Sequence, residues 1–197
     1  MAVALMAAAP GRAEESLLDT ALAVLTAQTA EGIADIERQL ESLDPLFVKA
    51  AAPVVAGLIA DSRDAAVEQG VERIPDAIRA QLEGYVPAEV LDVARWCTEC
   101  GGELSLQQAT FRLGLSPAIT LDYVIVFQSR DDALTDPALW VHELKHVMQF
   151  RDWGITRFAT RYLEDYAGVE REAAEFRWEW VVLTGDLERR KARRTTE

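Results

Sequence analysis

Apolar residues recur at helical spacing in the first third of the chain. Between residues 14 and 69 they stand three or four positions apart, and no stretch alternates apolar with polar residues as a half-buried strand does. The pattern predicts two or three helices, with breaks near Asp44-Pro45 and around Gly70. A stripe of this kind more often builds a core than a site, and its members include Leu18, Leu22, Leu25, Ile33, Ile36, Leu40 and Leu43.

Shorter elements follow this helical region. Pro75 and Pro87 each predict the first turn of a short helix, where the missing N–H of proline costs little, and we expect the second helix to run to Trp96. After CTECGG the composition changes to the Leu, Ile, Val, Thr and aromatic residues that favour strands. ELSLQQATFRL has this strand-like composition, and we expect one firm strand from Ile119 to Phe127.

The last third of the chain returns to helical spacing. Asp136 followed by Pro137 predicts a helix cap and a first turn, and the helix that starts there carries WVHELKHVMQF. Trp153 and Gly154 should reverse the chain, with glycine supplying a positive φ. Helices over residues 156–166 and 169–183 are expected next. These patterns together predict an α+β, mainly helical fold.

Length and charge limit the classes of function. The chain has 197 residues, half of them hydrophobic, which is enough for one sizeable core and favours one globular unit. Its net charge of -13 argues against nucleic acid as a partner, because a phosphate-binding surface needs clustered Lys and Arg. The basic cluster of residues 189–194 belongs to a tail, residues 185–197, that we expect to be solvated. The apolar stretch from Leu46 to Ala60 is interrupted by Lys49 and Pro53, so no integral membrane segment is predicted.

The first residues, MAVALMAAAPGRAEES, combine a short apolar run with small residues. Gly11 and Ala13 stand where a signal peptidase would accept them. We interpret residues 1–13 as the remnant of an export signal and expect an exported protein, periplasmic or secreted. The alternative is a cytoplasmic protein in which this segment only begins an Ala-rich helix.

The two histidines of the chain, His142 and His146, stand four positions apart with Glu143 beside the first, so that HELKH matches the HExxH pattern. Positions four apart share one face of a helix, which lets both imidazoles reach one metal ion, and Zn²⁺ suits such a pair first. Glu143 would take a proton from a metal-activated water during attack on a carbonyl and return it to the leaving amine. The alternative is a polar network without metal, since the motif also occurs by chance.

A catalytic zinc usually has three protein ligands, and with no third histidine the third must be a carboxylate. The segment GVEREAAEF offers Glu170, Glu172 and Glu175. It resembles the E-x-E-A or E-x-x-A helix of zinc peptidases with an HExxH plus Glu arrangement, in which the first Glu is the ligand. The resemblance implies Glu170 as the third ligand and Glu172 as the runner-up. These two cannot face the same way, because residues two apart lie about 200° apart on a helix.

The resemblance extends beyond the pentapeptide. AITLDYVIVF, LWVHELKHVMQFRDWGITRFATRYLEDY and VEREA together resemble the bacterial domain-of-unknown-function family known as the core domain associated with extracellular contractile injection systems, the eCIS core domain. The likeness covers roughly residues 85–176. It implies a zincin-like metallopeptidase fold of gluzincin type and a link with secreted toxins or injection systems. Lys145 departs from the Thr or Ala more usual in the family, and the likeness does not extend to the helical N-terminal half.

Three neighbours of the motif have open roles. Gln149 would either orient a ligand through a hydrogen bond or make a helix-end contact, and a structural role is favoured. Tyr162 and Tyr166 would either donate to a developing oxyanion or pack in the core, and packing is favoured.

Cys97 and Cys100, the only cysteines, form the sequence C-T-E-C. A zinc ribbon would need a second such pair. A thioredoxin-like centre would need the pair after a strand and at a helix start, whereas here a helix is expected before it. In an exported protein the simplest interpretation is a local disulfide across this turn.

The sequence thus predicts a helical N-terminal region, residues 14–84, followed by a zincin-like metallopeptidase domain, residues 85–184. The first hypothesis is a zinc enzyme that hydrolyses a peptide or protein substrate, with the strand of residues 119–127 holding the substrate in extended form. The second is a catalytically silent secreted structural or interaction module, whose helical N-terminal region docks a protein partner. A redox protein that uses Cys97 and Cys100 ranks last.

Overall fold

A computed structural model describes residues 45–100 and 116–195. These residues are mainly helical with a small four-stranded sheet, which confirms the predicted α+β, mainly helical class. The export signal of residues 1–13, the helices expected over residues 14–44 and the strand-like segment ELSLQQATFRL lie outside the described residues. In chain order the elements are α1 (Pro45–Gln69), β1 (Glu72–Arg73), α2 (Asp76–Leu82), α3 (Ala88–Val93), β2 (Arg95–Thr98), β3 (Ala118–Leu121), β4 (Val124–Phe127), α4 (Arg130–Thr135), α5 (Pro137–Trp153), α6 (Ile155–Glu164) and α7 (Tyr166–Thr195).

Proline and glycine delimit the early helices where predicted. α1 is described from Pro45 onwards, and it is followed by Gly70, which has a φ of 104°. Pro75 and Pro87 occupy the N-cap positions of α2 and α3. The boundaries at Gly70, Pro75 and Pro87 follow from local chemistry alone, since they depend on a missing N–H or on a left-handed backbone.

The strands of the sheet have the order β1-β2-β4-β3. β2 pairs with β4 in parallel, whereas β3 pairs with β4 in antiparallel orientation. Among the residues that the structure describes, β3 is therefore an edge strand. Gln128 donates its main-chain N–H to the main-chain oxygen of Pro117 at 2.8 Å. Hydrogen-bonded pairs alternate along an antiparallel ladder, so Ile119 and Leu121 are the residues of β3 that bond to β4. The main-chain groups of Ala118 and Thr120 consequently point away from β4.

The sheet is buried on both faces. Along β4, Val124 and Val126 belong to one apolar cluster and Ile125 and Phe127 to another, as the alternation of a strand requires. α1 and α6 pack in the first cluster. α5 contributes buried side chains to the second, among them Trp140. The sheet thus forms the layer between α1 and most of α5.

The described part of the N-terminal region belongs to this same core. α1 packs along α6 and touches β3 and β4, with Val55 and Ile59 almost completely buried. β1 pairs with β2. For α1, the apolar face that the interaction-module hypothesis would offer to a partner is therefore occupied within the protein.

The helix expected from Pro87 to Trp96 was predicted too long. α3 ends at Val93, and residues Arg95–Thr98 form β2. Trp96 is 1% exposed and donates its indole N–H to the main-chain oxygen of Arg73 at 2.9 Å. Pairing with β4 and burial of this large side chain outweigh the local helical pattern, which is how tertiary context decides strand formation.

The strand expected from Ile119 to Phe127 is a hairpin. β3 and β4 are joined by Asp122 and Tyr123, and Asp122 has a φ of 60°. Aspartate tolerates this left-handed conformation in a two-residue turn. Its carboxylate also accepts a hydrogen bond from Arg63 of α1 at 2.8 Å. The turn contains neither Gly nor Pro, so the sequence was interpreted as one continuous apolar strand.

The last helix is longer than predicted. α7 runs from Tyr166 to Thr195, past residue 183, and includes most of the segment interpreted as a solvated tail. Gly185 weakens a helix by only about 1 kcal/mol, and the residues after it are mostly good helix formers. No helix in the described part of the chain is long and apolar enough to cross a membrane.

Candidate metal centre

The helix that carries the HExxH motif has the predicted ends. Asp136 accepts a hydrogen bond from the main-chain N–H of Leu139 at 2.9 Å, and Pro137 stands in the first turn. Gly154 ends α5 with a φ of 75°. His142 and His146 therefore lie one turn apart in the middle of a regular helix.

α5 and α7 bring three potential ligands together. His142 Nε2 lies 3.2 Å from His146 Nε2. Glu170 of α7 places Oε2 3.3 Å from His142 Nε2 and Oε1 3.5 Å from His146 Nε2. Within residues 45–100 and 116–195, these three residues form the one group of His, Cys, Asp and Glu that could hold a metal ion.

The spacing of these atoms fits a tetrahedral ion. Zinc–nitrogen bonds of about 2.0–2.1 Å place neighbouring ligands roughly 3.3 Å apart in a tetrahedron. The 3.2 Å between the two Nε2 atoms is close to that value, and each nitrogen has a different oxygen of Glu170 at 3.3 or 3.5 Å. Two imidazoles and one carboxylate would leave a fourth position for water or substrate.

Each side of the cluster has a further hydrogen-bond partner. His146 Nδ1 lies 2.8 Å from Gln149 Oε1, and the Tyr162 hydroxyl donates to Glu170 Oε1 at 3.0 Å. Gln149 thus makes the ligand-orienting contact that we considered less favoured. Tyr162 is buried, as expected, and its proton is directed to Glu170. Tyr166 is 2% exposed and packs edge-on against Tyr162 with ring centroids 5.0 Å apart.

Glu143 lies beside the cluster and is 3% exposed. Its Oε2 accepts a hydrogen bond from Thr120 Oγ1 at 2.7 Å. Thr120 belongs to the edge strand β3, so the sheet and the motif helix meet at the carboxylate that the motif assigns to acid–base chemistry. Oε1 remains the oxygen available for proton transfer.

Burial and mutual charge shift the pKa values of the site. Burial would lower the pKa of His146, but the charge of Glu170 outweighs it, and the pKa is raised to about 9. Burial would raise the pKa of Glu170, yet the charge of His146 holds it well below the usual range. Burial, followed by the charge of Glu170, raises the pKa of Tyr162 well above its usual value. In the protein alone the carboxylate thus holds a proton on an imidazole, in the place where a cation would fit.

The three side chains of the cluster differ in exposure. The side chains of His142 and Glu170 are 15% and 16% exposed, whereas that of His146 is 7% exposed. A small molecule or an extended chain would approach past His142 and Glu170.

The other candidate carboxylates lie apart from the cluster. Glu172 Oε2 accepts a hydrogen bond from Gln149 Nε2 at 3.1 Å and lies 3.6 Å from Lys145 Nζ. Glu175 is exposed. Lys145 lies over the ring of Phe176, with Nζ 5.9 Å from the ring centroid. The geometry therefore groups Glu170 with the histidines and gives Glu172 a different environment.

Cys97 and Cys100 are joined by a disulfide, and the structure has no free cysteine among the residues it describes. Both are buried, and Glu99 between them has a φ of 56°. Cys97 lies in β2, so the pair follows a strand and not the expected helix. The disulfide closes the turn that leaves this strand.

Sequence reasoning missed Thr120. A single threonine in an apolar strand carries no signal of its own, because strand threonines are common and its partner Glu143 is 23 positions away. Only the packing of β3 against α5 shows that its hydroxyl meets the carboxylate.

The chain was compared with family models, with curated proteins and with solved structures, and none of the three comparisons found a match.

Proposed function

We propose that this protein is a zinc-dependent metallopeptidase that hydrolyses peptide bonds, with His142, His146 and Glu170 as metal ligands and Glu143 as general base. The observation that carries the proposal is the convergence of the three side chains, with closest separations of 3.2 to 3.5 Å, beside the buried carboxylate of Glu143. In this proposal the domain is zincin-like, since it combines an HExxH helix, a glutamate on the following long helix and an edge strand.

The metal would supply Lewis acidity, which polarises a peptide carbonyl and makes a water molecule acidic enough to attack near neutral pH. Glu143 takes the proton of the attacking water on Oε1, while the Thr120 hydroxyl holds Oε2 in place. The same carboxyl group then delivers that proton to the leaving amine.

The edge strand supports a peptide as the substrate. The main-chain groups of Thr120 point away from β4, and an extended chain could pair with them as an added strand once the hydrogen bonds of the neighbouring Ala118 main chain with the Ser116 hydroxyl open. The side chain of Thr120 reaches Glu143 from this same strand. A peptide paired here would therefore run close to the general base, which favours cleavage within a chain over removal of terminal residues.

Export and a link with toxins or injection systems belong to the same proposal. They rest on the N-terminal residues 1–13 and on the resemblance of roughly residues 85–176 to the eCIS core domain. The disulfide between Cys97 and Cys100 is in keeping with an oxidising compartment.

The deciding experiment measures the metal content of the purified protein by elemental mass spectrometry, for the wild type, His142→Ala and Glu143→Gln. We expect nearly one zinc per chain in the wild type, loss in the histidine variant and retention in the glutamate variant. The wild type and Glu143→Gln are then compared on a peptide library, where loss of the general base should slow cleavage by about a hundredfold or more.

Two outcomes would contradict the proposal. A wild type that remains free of zinc after reconstitution would reduce the motif to a polar network. Zinc binding without cleavage of any library peptide, in both the wild type and Glu143→Gln, would favour the catalytically silent structural or interaction module.

A further inference from the structure

Gln149 is a buried amide that joins the two helices of the metal centre. It is 2% exposed, and it lies on α5 one turn after His146. Its Oε1 is 2.8 Å from His146 Nδ1. Its Nε2 is 3.2 Å from the main-chain oxygen of Val169 and 3.1 Å from Glu172 Oε2, both on α7. A side chain with three polar contacts in a dry environment is costly to replace, because each unpaired partner loses solvation as well.

The partners on α7 determine which way the amide points. A main-chain carbonyl and an ionised carboxylate only accept hydrogen bonds, so they require the NH₂ group of Gln149. The carbonyl oxygen must then face His146. A flipped amide would place oxygen against two acceptors, Val169 O and Glu172 Oε2, and would lose both hydrogen bonds.

The orientation of the amide in turn determines the tautomer of His146. An oxygen at Nδ1 can only accept, so Nδ1 carries a hydrogen. When the ring is neutral, the lone pair lies on Nε2, the atom that faces Glu170 and His142. A neutral imidazole needs a free lone pair on the metal-facing nitrogen in order to bind an ion.

The same amide also restrains the position of Glu170, the third proposed ligand. Val169, whose main-chain oxygen accepts from Gln149, directly precedes Glu170 in α7. Movement of this turn of α7 away from α5 would break the hydrogen bond and carry Glu170 away from the histidines.

We infer that Gln149 is a positioning residue of the metal centre, which holds His146 as the Nδ1–H tautomer and anchors the turn of α7 that carries Glu170, with Glu172 as the acceptor that keeps its amide from flipping. The inference rests on the proposed metal centre and adds to it a residue that touches neither metal nor substrate.

The first test compares zinc affinity, by competition with a chromophoric chelator, in the full chain and three variants. Gln149→Leu removes both functions of the amide, and we expect about 10- to 100-fold weaker binding. The double variant Gln149→Glu, Glu172→Gln exchanges the donor and the acceptor between α5 and α7. The carboxylate at position 149 still accepts a hydrogen bond from His146 Nδ1, and it now also accepts one from the amide NH₂ at position 172. This pair keeps the contacts with His146 and residue 172 but loses the hydrogen bond to the main-chain oxygen of Val169, so it should bind zinc more tightly than Gln149→Leu and less tightly than the wild type. Gln81→Leu, the same change at an exposed position of α2, should have no effect.

The second test reads the tautomer directly and does not depend on zinc. The chain has two histidines, so ¹⁵N-histidine labelling gives at most four imidazole nitrogen signals. At about pH 10, above the pKa of about 9 of His146, we expect one ring with a protonated, slowly exchanging Nδ1 in the wild type and in the exchanged pair. In Gln149→Leu that signal should shift to a mixture of tautomers.

The outcomes separate this inference from the proposed function. A wild type without zinc affinity would contradict the metal centre, while the imidazole spectrum would still decide the tautomer. If Gln149→Leu binds zinc as tightly as the wild type and leaves the imidazole signals unchanged, Gln149 is only a packing residue and the inference is wrong. Circular dichroism of each variant shows whether a loss of affinity reflects unfolding, and the exchanged pair decides the case if Gln149→Leu does not fold.

Discussion

Thr120 Oγ1 lies 2.7 Å from Glu143 Oε2 and 3.2 Å from the main-chain oxygen of Glu143. One hydroxyl of an edge strand therefore lies between two acceptors of the proposed general base, and its single hydrogen serves the nearer one, the carboxylate oxygen. This contact links the sheet, where a peptide would pair, to the helix that carries the two histidines.

Thr120→Val should destabilise the protein and leave its metal content unchanged. The substitution keeps the shape of the side chain but leaves a buried carboxylate oxygen without its donor, which costs about 1–3 kcal/mol of unfolding free energy. Thr120 touches no proposed ligand, so elemental analysis should find the same zinc content. Urea denaturation is the measurement, and Thr120→Ser, which retains the hydroxyl, should stay close to the wild type. Equal destabilisation by Ser and Val would assign the effect to packing.

Tyr162→Phe should weaken zinc binding by about 10- to 100-fold, because Glu170 loses the hydrogen bond that orients its Oε1. The matched control is Tyr85→Phe. The Tyr85 hydroxyl donates to the main-chain oxygen of Phe176, also on α7, at 2.7 Å, but makes no contact with the three ligands. Both variants lose one tyrosine hydrogen bond, and only the first should change the dissociation constant for zinc. Equal constants in the two variants would show that the orientation of Glu170 does not depend on Tyr162.

Zinc affinity should rise with pH up to about pH 9. The pKa of His146 is raised to about 9 in the metal-free protein, so below that pH binding must displace a proton from the imidazole. Below that pKa, each decrease of one pH unit should raise the dissociation constant for zinc by about tenfold, because one proton is displaced for each ion bound. Isothermal titration calorimetry of zinc binding, repeated in buffers of different ionisation enthalpy, gives the number of protons released. No proton release at neutral pH would contradict the ion pair between His146 and Glu170.

Stability of the metal-free protein should have the opposite pH dependence. A folded-state pKa above the unfolded value of roughly 6.5 means that the contribution of His146 is complete below that pH. It is lost as the pH rises towards about 9. Saturating zinc should abolish this decline, because the imidazole is then neutral throughout. Thermal unfolding with and without a chelator across this range tests the sign.

Replacing Cys97 and Cys100 together by Ser should lower the free energy of unfolding by about 2 kcal/mol. The disulfide closes a loop of sequence separation 3, and the chain-entropy relation gives a value of this size for so short a loop. Glu99 would also be freed from its left-handed conformation. Zinc content should not change, because neither cysteine belongs to the cluster. If the double variant keeps its fold and its zinc but no longer cleaves peptides, the result would favour the hypothesis of a redox protein that uses these cysteines.

The sequence alone determined the features that depend on local chemistry. Proline and glycine set the ends of α1, α2 and α5, and the cap at Asp136 started the motif helix as predicted. The spacing of His142 and His146 placed both rings on one face, because the helix repeat is a local property. Glu170 was singled out by its resemblance to known glutamate helices, and it is the carboxylate that lies beside the histidines.

Tertiary structure decided what depends on residues far apart in the chain. Trp96 lies in a strand and not in the predicted helix, because β4 pairs with it and the sheet buries its side chain. The turn at Asp122 depends partly on a hydrogen bond from Arg63, 59 positions away. The contacts of Thr120 with Glu143 and of Gln149 with Val169 bridge 23 and 20 positions. No periodicity encodes such pairs, since each side chain acquires its role only when packing brings its partner within hydrogen-bond distance.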